Sequence, residues 1–178
     1  MTWLTDTFYL LVRPGYGLDR VVDRGRLGGA ALTVLVVGAI LGIQAAGAMG
    51  LPLVAGILLG FVLALAGWFV GGTLWYATSG IVGGDGLWRQ VLAGLGWASV
   101  PLVLLPVTAT FGRWCGSTWG SVLGLAVLIW MATLAVRAVS RASGLTWGQG
   151  LLALSLVGLL IMLLPLSGAM LVLIGLAT

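Results

Sequence analysis

Charge is scarce in this chain and unevenly placed. No charged residue occurs from Leu27 to Gly84, from Gln90 to Gly112, from Trp114 to Val136 or from Ala142 to Thr178. A water-soluble domain carries about a quarter of its residues as Asp, Glu, Lys and Arg. Here the share is 7 %, against 61 % hydrophobic. Inside lipid, every backbone N–H and C=O must be paired within a helix or a closed barrel. Barrel strands need about 10 residues of alternating polarity. Stretches such as Leu102-Val103-Leu104-Leu105 and Leu151-Leu152-Ala153-Leu154 do not alternate. The chain therefore reads as an all-α integral membrane protein.

A helix rises about 1.5 Å per residue, so roughly 20 residues cross 30 Å of hydrocarbon. Gln90–Gly112 and Trp114–Val136 each fit one pass. Leu27–Gly84 is too long for one and must turn near Gly50-Leu51-Pro52, where Gly and Pro punctuate the run. That gives segments near Leu27–Gly47 and Pro52–Ser79. A fifth pass is expected from about Trp147 to Ile174, with tilt or a kink at Pro165. The expectation is five transmembrane helices in residues 27–178, preceded by a cytoplasmic amphipathic segment in residues 1–26. Leu27–Ile43 followed by Ala46-Gly47-Ala48 has the outline of a cleavable signal. The basic segment before it is too long for one, so it is expected to stay as a membrane helix.

Basic residues near segment ends set orientation. Arg13, Arg20, Arg24, Arg26, Arg89, Arg137 and Arg141 fall on one side of such a layout, and only Arg113 on the other. The N-terminus is expected in the cytoplasm and the C-terminus outside. The net charge of +4 then reflects this rule and anionic lipid headgroups, not nucleic acid.

Trp3, Leu4, Phe8, Leu11 and Val12 recur at helical spacing, with Thr5, Asp6 and Tyr9 off the stripe. This is expected to be a short helix lying in the membrane interface and ending at Arg13-Pro14-Gly15. Leu18–Arg26 carries mixed charges at spacings of three and four, and reads as a solvated, positively charged flank. In the loop Gly83-Gly84-Asp85-Gly86, Asp85 is expected to cap the third membrane helix and to pair with Arg89. A phosphate loop would end in Lys-Ser/Thr, and this one does not.

Glycines four apart let membrane helices approach closely. Gly38/Gly42, Gly56/Gly60, Gly67/Gly71 and Gly116/Gly120/Gly124 are the candidates for packing, within the bundle or against another subunit. Trp75, Trp88 and Trp147 on one side, and Trp114 and Trp119 on the other, are expected to form the interfacial aromatic belts. Trp68, Trp97 and Trp130 lie deeper, with packing as their default role.

The chain has no His, Glu or Asn, and its only Cys is Cys115. His-ligated haem and nearly every zinc or copper site are excluded. Inside the expected transmembrane helices there is no carboxylate to couple an ion or to act as general acid or base. No catalytic residue, metal site or cofactor is assigned. Gln44, with Thr33, Ser99, Thr108 and Thr133, is all that a polar path could use.

Three stretches carry a family likeness. They are Leu74-Trp75-Tyr76-Ala77 followed by Gly83-Gly84-Asp85-Gly86-Leu87-Trp88-Arg89-Gln90-Val91, then Gly96-Trp97-Ala98-Ser99-Val100-Pro101, and Ser143-Gly144-Leu145-Thr146-Trp147-Gly148-Gln149-Gly150. The chain resembles the Yip domain family of Rab/Ypt-interacting membrane proteins, in its short prokaryotic form. It lacks the long acidic tail and the Asp-Leu-Ala-Gly-Pro signature tied to GTPase binding, so that activity does not carry over. The resemblance implies a non-catalytic membrane organiser or adaptor in a bacterial cytoplasmic or derived internal membrane. Its partners would be lipids, other integral membrane proteins or a second copy of itself. Two alternatives stand beside this. One is an accessory subunit of a respiratory or photosynthetic complex. The other is a small transporter or channel, which requires Gln44 and the hydroxyls to share one water-filled cavity.

Overall fold

In the computed structural model, which describes residues 3–161, the backbone is helical apart from short turns. Two short helices come first, α1 (Trp3–Val12) and α2 (Pro14–Arg24). They are followed by α3 (Leu27–Met49) and α4 (Leu53–Ile81). Next come α5 (Trp88–Ala98), a 3-10 turn (Val100–Leu104), α6 (Leu105–Cys115) and α7 (Ser117–Ala142). A last helix, α8, covers Trp147–Ile161 among the described residues. Four segments are long and apolar enough to cross a membrane: Leu27–Met49, Leu53–Ile81, Trp88–Cys115 and Ser117–Ala142. Of the expected fifth pass, the described residues show only α8, an apolar helix too short by itself to count as a crossing. Its continuation to Ile174, the Pro165 kink and the C-terminus lie outside the described residues.

Local sequence explains the breaks. Gly50 ends α3 at φ 67°, a left-handed conformation that glycine adopts without penalty, and its N–H returns to Ala46 C=O. Pro52 then precedes α4. The third crossing is not one helix, as expected, but is interrupted at Val100–Leu104. Pro101 there has no N–H to donate, and its ring would crowd the carbonyl one turn back. The chain tightens instead, with Leu102 N–H on Ser99 C=O at 2.9 Å, and Pro106 sits in the first turn of α6. Gly116, at φ 102° and ψ 144°, makes the reversal between α6 and α7.

Two glycine contacts hold the hairpins. On α3, a Cβ at Gly38 would come within 2.7 Å of Gly60 O, and one at Gly42 would meet the Gly56 carbonyl. On α4, Gly56 faces Ala46 and Gly60 faces Gly38, so the two backbones touch directly. In the second hairpin a Cβ at Gly120 would stand 2.7 Å from Gly112 Cα. Gly124 has only ordinary contact, 3.7 Å from Thr108 Oγ1. Gly67 and Gly71 differ from the packing role expected of them, because a Cβ at either would meet nothing within 4 Å. Gly116 likewise serves the turn and packs against nothing.

The core is concentrated at the arginine-bearing end. Helix α5 is its centre, with Val91, Leu92, Ala93, Trp97 and Ala98 at most 2 % exposed. Around it pack Leu18, Val21 and Val22 of α2, Ala30 of α3, Leu134–Val136 and Val139 of α7, and Ala153 and Val157 of α8. Helix α4 is peripheral: only Gly56, Gly72, Trp75, Thr78 and Ser79 of its 29 residues are buried.

Candidate interaction surface at the arginine-bearing end

Helices α1 and α2 form a hairpin docked on the ends of the membrane helices. The interfacial stripe expected on α1 splits between two faces. Leu4, Phe8 and Val12, four residues apart, are about 60–70 % exposed. Trp3 turns inward instead, donating from Nε1 to Thr33 Oγ1 at 3.0 Å with its ring 6.5 Å from that of Trp97. Leu10 is fully buried. Asp6, expected off the packed face, is 7 % exposed. Its Oδ1 lies 3.8 Å from Arg20 Nε and 3.6 Å from Arg24 Nη1. A carboxylate is retained at such a depth only beside cations, and α2 supplies two.

Helix α2 is not the free flank its charges suggested. Leu18 and Val22, one turn apart, are no more than 1 % exposed against α5 and α7. Beside that apolar seam, Asp19 accepts from Arg137 Nη2 at 3.3 Å and Asp23 from Arg141 Nη2 at 3.4 Å. Residues four apart share one helix face. The two Asp of α2 therefore match the two Arg of α7 rung for rung. Both pairs are largely solvent-exposed, so each contributes about 0.2–1 kcal/mol; their main effect is to fix the register of α2 on α7. Arg20 also lies over the Tyr9 ring, 5.5 Å from its centroid.

The glycine loop completes the surface. Gly84 N–H donates to Ser79 C=O at 2.8 Å and Asp85 N–H to Ser143 C=O at 3.2 Å. Ser143 Oγ reaches Ser79 Oγ at 3.3 Å. A Cβ at Gly86 would stand 2.6 Å from Ser143 Cα, and one at Gly84 would stand 2.9 Å from Ser143 Cβ. The glycines thus let the α4–α5 loop lie flat on the α7–α8 turn. Gly83 takes φ 94°. Asp85 does not cap the next helix: Leu87 occupies the N-cap without a side-chain bond, and no ion pair joins Asp85 to Arg89 among the described residues. The carboxylate points elsewhere, with Oδ1 3.2 Å from where a Cβ would stand on Gly144. The third motif is a helix start. Thr146 N–H donates to Gln149 Oε1 at 2.9 Å and Gln149 N–H to Thr146 Oγ1 at 3.4 Å, a reciprocal capping box for α8.

The remaining aromatic sites divide. Trp114 and Trp119 at the far end are 84 % and 60 % exposed, and Trp147 is 48 %. Trp88 is half-buried, edge-on to Phe69, and its Nε1 reaches Thr73 Oγ1 at 3.4 Å. Trp75 departs from the belt expected of it and is buried, at 8 %. Pro101 is buried beneath the break it causes. Among the described residues no group of His, Cys, Asp or Glu is placed to hold a metal ion. The hydroxyls of Thr33, Ser99, Thr108 and Thr133 each donate to a carbonyl three or four residues earlier. That leaves the transport reading without the shared polar path it requires. Gln44 stands apart from Thr33, Ser99 and Thr133, lining a cavity with Thr108 and Arg113 near the opposite end.

Two of the stretches that carried the sequence likeness, the glycine loop and the α8 start, lie at this end, and the third, the break at Pro101, lies inside the third crossing. The sequence model of the Yip1 domain matches residues 8–169. The chain belongs to the Yip1 domain family. That match takes in the second half of α1, from Phe8, and all of α2. No curated protein and no solved structure matches the chain. Sequence reasoning missed Asp6, Asp19, Asp23 and Ser143 as elements of this surface. The equal four-residue spacing of Asp19/Asp23 and Arg137/Arg141 was the signal available for two of them.

Proposed function

We propose that this Yip1-domain protein is a non-catalytic organiser of its membrane, and that it acts through the platform formed by α1, α2, the α4–α5 loop and the α7–α8 turn. The observation that carries this reading is the locking of four separate segments onto one another by ion pairs and glycine contacts. That produces a fixed surface at one end of the bundle. Arg13, Arg26 and Arg89 are exposed on that end and have no ion-pair partner among the described residues. They are suited to anionic headgroups, each such contact being worth about 1 kcal/mol near a charged leaflet. The exposed Leu4, Phe8 and Val12 of α1 would sit at the acyl boundary beside them. In this reading the platform is cytoplasmic, in a bacterial inner membrane or one derived from it. Cys115 at the far end would then react with a membrane-impermeant maleimide added outside intact cells. Labelling only after lysis would reverse the orientation.

A second reading, a subunit of a larger membrane complex, is favoured by α4. Its face from Leu53 to Ile81 exposes Val54, Leu58, Val62, Phe69 and Val70, enough to meet another transmembrane protein as well as lipid. Gentle detergent extraction of the tagged protein, followed by mass spectrometry, separates the two. A protein recovered alone or as a homo-oligomer with lipids supports the organiser. A stoichiometric set of redox or light-harvesting subunits would establish the other.

A further inference from the structure

Gly67 and Gly71 hold space open where the other glycine pairs close it. They line a cavity of about 300 Å³ between α3, α4, α5 and the 3-10 turn, with Val37, Leu41, Trp68 and Leu102 on its walls. Gly67 is exposed, so the cavity opens sideways from the bundle, towards the surface that faces lipid. An apolar wall without neighbours forfeits its dispersion contacts, and in a bilayer the atoms available to supply them are acyl chains.

A second feature makes the cavity more than a groove. Trp75 also lines it. This residue is 8 % exposed, and its indole Nε1 is buried with no acceptor among the described residues. Trp68, beside it, has one: its Nε1 donates to Leu92 C=O at 2.8 Å. A buried donor without a partner costs about 1–3 kcal/mol, so Trp75 is suited to an acceptor carried by whatever enters. Its depth indicates the kind. Helix α4 has 29 residues, roughly 44 Å at 1.5 Å per residue, close to the 40–45 Å of a whole bilayer. Trp75 lies six residues before its end at Ile81, roughly 9 Å from it. That places the indole near the hydrocarbon boundary on the arginine-bearing side, the level of glycerol ester carbonyls.

We infer that this cavity binds one acyl chain of a glycerophospholipid from the arginine-bearing leaflet, with the ester carbonyl accepting a hydrogen bond from Trp75 Nε1. The glycines supply the room and the indole fixes the depth of the chain.

The test uses the full chain in vesicles of phosphatidylethanolamine and phosphatidylglycerol. These are doped with a diester phospholipid bearing a photoreactive group on one acyl chain, or with its diether analogue. After irradiation, peptide mapping should place the diester label on the cavity wall around Leu63, Trp68 and Leu95. The double substitution Gly67→Leu with Gly71→Leu puts each new Cβ where nothing lies within 4 Å, so it should fold with unchanged helicity and lose most of that label. Trp75→Phe should lower diester labelling about fivefold, the loss of one neutral hydrogen bond, and leave diether labelling unchanged. Equal labelling by the two probes in the native protein would overturn the proposal. So would label spread evenly along the outer face of α4, or full labelling of the double variant.

Discussion

Gly60→Ala adds one methyl group where α4 meets α3 and tests whether those backbones touch as closely as described. The new Cβ would meet the Gly38 carbonyl and come within 2.9 Å of Gly42 Cα. Carbon atoms rest at about 3.5–4.0 Å, so the helices must part by roughly 1 Å. Both obstructing groups are backbone, and no rotamer change can relieve them. Overpacking of this kind costs about 1–3 kcal/mol, and the separation also weakens the contacts of Gly38, Gly42 and Gly56. Acting against this, Ala in place of Gly favours helix by about 1 kcal/mol. The net loss expected is about 0–2 kcal/mol. Gly47→Ala is the matched control, since Gly47 is on the same hairpin and meets nothing within 4 Å; there only the propensity gain remains. Equilibrium unfolding in mixed micelles with increasing SDS, followed by circular dichroism, should separate the two variants by about 1–3 kcal/mol. Equal midpoints would mean that α3 and α4 are not in backbone contact.

The ion pairs should differ by burial. Asp23→Ala removes an exposed pair and should cost at most about 1 kcal/mol, whereas Asp6→Ala removes a buried carboxylate shared by Arg20 and Arg24 and should cost about 1.5–3 kcal/mol. The same SDS titration reads both, and equal losses would refute the buried role of Asp6. Gly86→Ala should lift the α4–α5 loop from the α7–α8 turn, because the Cβ would meet the Ala142 carbonyl and lie 2.6 Å from Ser143 Cα. Limited proteolysis should then cut at Arg89 faster than in the native protein; an unchanged rate would mean that the loop is not docked.

The sequence by itself determined the class and most of the helix ends. Long uncharged runs have one outcome in lipid, since backbone polar groups there must be paired within each segment. Gly50 and Gly116 mark the hairpin turns because their backbone conformations favour glycine. The Yip likeness was legible for a similar reason: its motifs are a loop, a helix break and a helix start, all local features. What the tertiary structure decided is which of several equivalent residues does what. All the glycine pairs have the same spacing. Only the α3–α4 crossing separates Gly38 and Gly42, which meet backbone, from Gly67 and Gly71, which border a cavity. Asp19 and Asp23 looked like part of a free flank because their partners, Arg137 and Arg141, are 118 residues away in sequence. Trp75 looked interfacial because helix position gives depth but not direction, and it is the packing around α5 that turns its ring inward. Spacing along one helix is a property of the chain; which neighbour a face meets is a property of the bundle.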